Sequence, residues 1–164
     1  MDEKYGNLLE ILEKEVDLYG EFLNLLRMER QYMVDLSSDK LHECSNHRET
    51  IILNLQILEE SRKDLIALML NGHQFGTPTL AIIIEGAPTR YKKGLEMCRS
   101  NLLSLVNSIR EINQVNGILA ERVINYTRNS LSFLNRLAHD LSVYHSSDRM
   151  EQEKKTSRLI YKKG

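Results

Sequence analysis

Along the first quarter of the chain, apolar residues recur in steps that alternate between three and four. The series is Leu9, Leu12, Val16, Tyr19, Leu23, Leu26 and Met33, with Arg30 taking one place in it. That alternation keeps every member on one face of a helix, the seam of a coiled coil or a long helical hairpin. Glu10 and Lys14 form a favourable i,i+4 pair on the wet side. The pattern predicts a first helix over about residues 2–36. SSDK, residues 37–40, then offers hydroxyls and a carboxylate to cap a second helix over about 39–71. Its seam reads Leu41, Cys44, Arg48, Ile51, Leu55, Leu58, Arg62, Leu65 and Met69, and Ile52 and Ile66 widen the stripe as a bundle core requires. A connection this short makes the two helices antiparallel neighbours.

NGHQFGTPT, residues 71–79, is the main break in the pattern. Thr77 is placed to cap a short helix over about 78–85 that starts at Pro78 and ends at Gly86. Leu80, Ile82, Ile83 and Ile84 make that helix too apolar to stay exposed, so it is expected to lie over the end of the bundle as a lid. The last segment, about 88–144, is the longest. Its seam runs Leu95, Cys98, Leu102, Leu105, Ile109, Ile112, Asn116, Leu119, Val123, Tyr126, Ser130, Phe133 and Leu137. A second stripe, Leu131, Leu134, Ala138 and Leu141, accompanies its later half. From His145 the chain turns polar and charged, and 146–164 reads as a flexible tail with a short apolar tip at 159–161.

The lengths do not match. At 1.5 Å per residue the first two helices measure about 45–50 Å and the third about 80 Å, which leaves roughly twenty residues beyond Asn116 with an apolar stripe and no partner in the hairpin. Leaving such side chains wet forfeits roughly 1.5–3 kcal/mol each against burial, and a contiguous apolar patch of this kind marks an interaction site. Leu119, Val123, Tyr126, Phe133 and Leu134 are its candidate contact residues. Gly117 costs a helix interior only about 1 kcal/mol relative to Ala. With no proline or turn cluster beside it, a continuous or gently bent helix is favoured over one that folds back. Asn113 and Asn116 interrupt the same run. Asn116 lies on the seam, where an amide fixes register or partner number. Alternatively both amides hydrogen-bond the backbone of a bound segment, which Gly117 would allow to come close.

The 164 residues hold 41% hydrophobic and 27% charged residues, no Trp, three Phe and two Pro. This composition favours long helices over a β sandwich or barrel. The fold expected is all-α: an antiparallel helical hairpin plus a long third helix, forming a coiled-coil-like three-helix bundle with an extended C-terminal helix. One domain is expected over 1–145. A net charge of −1 gives no argument for nucleic acid or an anionic membrane surface. The longest apolar run, LAIII at 80–84, is far short of the ~20 residues of a membrane helix, so membrane insertion is not expected. MDEKYGNLLE has no basic stretch leading into an apolar run, which makes a cytoplasmic location the expectation.

Chemistry-bearing residues are sparse. Cys44 and Cys98 sit on apolar stripes and read as buried free thiols. His42 and Cys44 point roughly 200° apart on a helix, so His42, Cys44 and His47 do not converge on a metal. His139, in RLAHDLS, raises the alternative of a phosphotransfer bundle, but Asp140 beside it would repel phosphate. Neither Lys nor Gly follows to steady the phosphoryl group. No Ser–His–Asp set, Gly-rich phosphate loop or paired carboxylates in a cleft occurs, so neither an enzyme nor a cofactor is expected. Arg30, Arg48 and Arg62 on the seams are expected to snorkel, stems buried and guanidinium groups wet.

Four stretches, in order, resemble one family. They are LYGEFLNLLRMERQYMVDLSSDKLHECSNHRETIILNLQILEESRKDL (18–65), TPTLAIIIEGAP (77–88), EINQVNGILAERVINYTRNSLSFL (111–134) and SRLIYKKG at the C-terminus. Their order and spacing resemble the flagellar export chaperones of the FlgN family. The resemblance implies a partner, the C-terminal helical segment of hook-filament junction proteins, held soluble and unassembled, and then docking of the complex on the flagellar type III export gate. It singles out the Asn113–Asn116 region directly; the other contact positions come from the surplus of the third helix. The competing expectation is a structural or adaptor protein that forms a homodimer through the C-terminal helix.

Overall fold

A computed structural model describes residues 2–70 and 80–160, with side chains through His139. The described residues form four helices: α1 (Asp2–Val34), α2 (Ser38–Met69), α3 (Leu80–Glu85) and α4 (Thr89–Ile160). The expected all-α class is met. The expected cap at Thr77 and start at Pro78, and His73, lie outside the described residues. The chain divides into two units, residues 1–120 and 121–164, where the sequence reads as one domain to residue 145 and a tail.

α1 ends at a tight reversal. The Ser37 amide donates to Tyr32 O at 3.0 Å and the Leu36 amide to Met33 O at 3.3 Å, the two bonds of a Schellman motif. Leu36 takes the left-handed position of that motif, at φ 53°, where glycine is usual because a Cβ there meets the following carbonyl. Ser37 precedes α2, and its side chain makes no capping hydrogen bond. The reversal, not a hydroxyl cap, therefore defines the junction.

Ion pairs between Glu15 and Arg62 and between Glu29 and Arg48 show that α1 and α2 run antiparallel. One apolar cluster joins Leu8 and Leu12 of α1, Ile66 and Met69 of α2, Ile83 and Ile84 of α3, and Leu95 and Cys98 of α4. The short helix thus buries two isoleucines where the ends of three others meet, while Ile82 stays 53% exposed. The Tyr5 hydroxyl donates to Gly86 O at 3.1 Å and ties α1 to the α3–α4 turn. A second cluster, Leu25, Cys44, Ile51 and Leu55, belongs to α1 and α2 and is flanked by Leu18, Phe22 and Tyr32.

α4 is helical through Ile160, sixteen residues past the end read near Tyr144. The segment EQEKK consists of strong helix formers. Lack of apolar residues argues against packing, and that is a different matter from helix formation.

Candidate functional site

Two features of α4 are distinct in chemistry and fall in different units. The first is Asn116. The residue is 4% exposed, and its Nδ2 donates to Leu26 O at 2.8 Å and to Glu29 Oε2 at 3.0 Å. The other oxygen of Glu29 pairs with Arg48. One amide, one carboxylate and one guanidinium from α4, α1 and α2 therefore form a single polar clasp. Within it Asn116 Oδ1 and Arg48 Nε are buried without a hydrogen-bond partner. The amide that sequence offers to a bound segment has both donor bonds within the chain. Asn113 and Gly117, beside it, face solvent, and a Cβ built on Gly117 meets nothing within 4 Å.

A second polar pair lies deeper in the hairpin. Glu15 is 2% exposed and accepts a hydrogen bond from Arg62 Nε at 2.9 Å. Burial pushes the Glu15 carboxyl above its ordinary value, against the pull of Arg62. Arg62 thus holds the buried carboxylate of Glu15 and Arg48 the half-buried one of Glu29 instead of snorkelling, while Arg30 is exposed. Sequence marked the two arginines by their seam positions. Their partners were missed, because a Glu off the seam reads as solvated.

The second feature lies in residues 121–139. Tyr126, Phe133 and Leu134 are 66%, 56% and 57% exposed. At 100° per residue, they share a helix face with Val123 and Leu137, of which Val123 is half-buried and Leu137 exposed. Leu119, at the end of the first unit, is half-buried. Ile124 and Leu131, also exposed, flank the face on one side. Ile124 lies off the seam, and periodicity alone does not select it. Arg122, Arg128 and Arg136 occupy the same segment against one carboxylate, Glu121. The result is an apolar face with cationic neighbours.

Cys44 and Cys98 are buried free thiols, each pushed up by burial first and then by nearby carboxylates. His47 contacts Glu21 at 2.9 Å, while Cys44 is buried and His42 exposed. Among the described residues no helix is long and apolar enough to cross a membrane.

Compared with known proteins, residues 1–152 match the family described as FlgN protein. No curated protein and no solved structure matches the chain.

Proposed function

Because the chain belongs to the FlgN family, a family of flagellar export chaperones and not of enzymes, we propose that it binds the C-terminal helical segment of hook-filament junction proteins. It keeps them unassembled and delivers them to the flagellar export gate in the cytoplasm. The observation that carries this reading is the exposed apolar face of α4, with Tyr126, Phe133 and Leu134 each more than half exposed. An amphipathic client segment laid along that face buries its own apolar stripe, which would otherwise drive premature assembly. Val123 extends the contact along that face; Leu119 and Asn113, in the first unit, are further candidate contacts. On the same reading, the hairpin and the first part of α4 act as a coiled-coil-like three-helix bundle.

Co-purification with candidate junction proteins, full length and lacking their C-terminal helix, tests the proposal. Binding is expected only with the helix present. The double substitution Phe133→Asp and Leu134→Asp removes about 3 kcal/mol of apolar contact, a loss of about a hundredfold in affinity. Its melting temperature should stay unchanged. Unaltered affinity would place the client elsewhere. A homodimer through the C-terminal helix uses the same apolar residues. Sedimentation of the chain alone separates the two readings, since a dimer lost in this variant, with no client bound, supports the adaptor.

A further inference from the structure

The first unit contains a groove that the binding face on residues 121–139 does not use. α1 and α4 meet closely at one point, where a Cβ on Gly94 would lie 3.2 Å from the Leu9 methyl groups. They meet again where Asn116 bonds Leu26 O. Between these two points lies an open groove of about 860 Å³. Its α1 wall runs from Val16 to Met28, about 18 Å at 1.5 Å per residue.

The chemistry of this groove is one-sided. Its apolar lining includes Val16, Leu25 and Leu105, and its α1 lip carries Asp17 and Glu21. The α4 wall contributes Asn101 and Ser104, which are uncharged, and no Lys or Arg lines it. Glu21 is met by His47. Among the described residues no ion pair engages Asp17. Asp17 and Glu21 are four residues apart, one helical turn, and so stand on one side of the opening. Gly20 lies between them, and a Cβ there meets nothing within 4 Å.

We propose that this groove docks a short amphipathic helix of a partner protein that carries Lys or Arg at i and i+4 beside an apolar stripe. The cations face Asp17 and Glu21, the apolar residues fill the space over Val16 and Leu105, and the span is about three helical turns. The bare backbone at Gly20 allows the incoming helix to approach closely. Charge complementarity selects a basic segment: an acidic one would place like charges beside Asp17 and Glu21, and of these only Glu21 is met from within the lining, by His47. This surface is separate from the α4 face, and the inference stands whether or not junction proteins are the client.

The probe is a fluorescein-labelled, hydrocarbon-stapled peptide of about twelve residues, patterned with Leu on one face and Lys at i,i+4 beside it. The staple is needed because so short a helix is marginal on its own. Fluorescence anisotropy with the full chain is expected to show binding that weakens with salt. Gly20→Leu, which adds a side chain to the groove at a position where a Cβ meets nothing within 4 Å, and the pair Asp17→Asn with Glu21→Gln should each weaken it by about tenfold or more. Phe133→Asp with Leu134→Asp should leave it unchanged. Absence of binding to the wild-type chain overturns the proposal, as does equal binding of a peptide with Glu in place of Lys. Insensitivity to Gly20→Leu, or loss only in the Phe133 and Leu134 variant, overturns it too. A wild-type dimer in sedimentation that Gly20→Leu dissociates assigns the groove to a second copy of the chain and overturns it equally.

Discussion

Replacing Arg62 by Met tests the buried hairpin pair. Glu15 is 3% exposed in its side chain and Arg62 25%, so removing the guanidinium leaves a carboxylate with little access to water. Breaking a buried pair from one side costs 3–5 kcal/mol. The partial exposure of Arg62 places this one at the lower end, about 3 kcal/mol, or roughly 6–12 °C in melting temperature for a chain of this length. The pH dependence identifies the cause. Burial already holds Glu15 above its ordinary value of 4.5, so the native state binds this proton more tightly than the unfolded state does. Stability from this group is therefore greatest below about 4.5 and declines as pH rises through the native value. Without Arg62 the native value moves further up. The deficit of the variant relative to wild type should then be small near pH 4 and grow toward pH 7. Urea melts across that range measure it, and Glu15→Leu combined with Arg62→Met should recover most of the loss, since apolar replacement of a buried pair is often neutral. A deficit that is the same at both ends of the range would refute the reasoning. It would assign the loss to the aliphatic stem of Arg62.

Asn116→Ala removes both donors from the clasp and leaves Glu29 with Arg48 alone; a loss of about 1–3 kcal/mol is expected in chemical denaturation. Leu36→Gly relieves the left-handed φ at the end of α1 and should raise stability by up to about 1 kcal/mol, read as a shift in the urea midpoint with unchanged slope. Gly117→Ala meets no neighbour and should also stabilise, by about 1 kcal/mol or less. Cys44 and Cys98, buried and with raised pKa, should react with Ellman's reagent at pH 8 only as fast as the chain opens. Rapid labelling of either thiol in the native protein would contradict its placement.

Much of the core was legible because each helix carries its own periodic record of which face turns inward. Leu12, Leu26, Cys44, Ile51, Met69, Leu95 and Cys98 lie on the seams read from steps of three and four, and all are buried. The record says nothing of how one helix is registered against another, and the misses follow from that. Glu15 is buried because the antiparallel register brings Arg62 to it, and a carboxylate has no sequence mark for this. Leu25 lies on a second stripe with Leu18, Phe22 and Tyr32 that faces α2, and one seam per helix does not reveal it. Asn116 was marked by position, yet whether its amide met a neighbouring helix or a visitor depended on where Leu26 and Glu29 lay. The apolar face of residues 121–139 was legible for the opposite reason: its exposure is a local property of one helix.

The polar residues on the seams settle a question that the apolar ones leave open. Seven residues on either side of Asn116 stand Ile109 and Val123, both on the same seam. Sliding α4 by one heptad along α1 would exchange one aliphatic residue for another at most positions, and swaps of similar volume cost little. At Asn116 the exchange is different. Ile109 or Val123 would arrive beside Leu26 O and Glu29, and neither can donate to them. The displaced amide would meet apolar contacts. A buried amide left without its partners costs about 1–3 kcal/mol, while Glu29 loses one donor and keeps Arg48. The clasp therefore discriminates between registers that hydrophobic packing treats as nearly equal. The amide in the middle of the seam weakens the apolar contact where it stands, and in exchange it sets which residues of α1 the neighbouring stretch of α4 lies against.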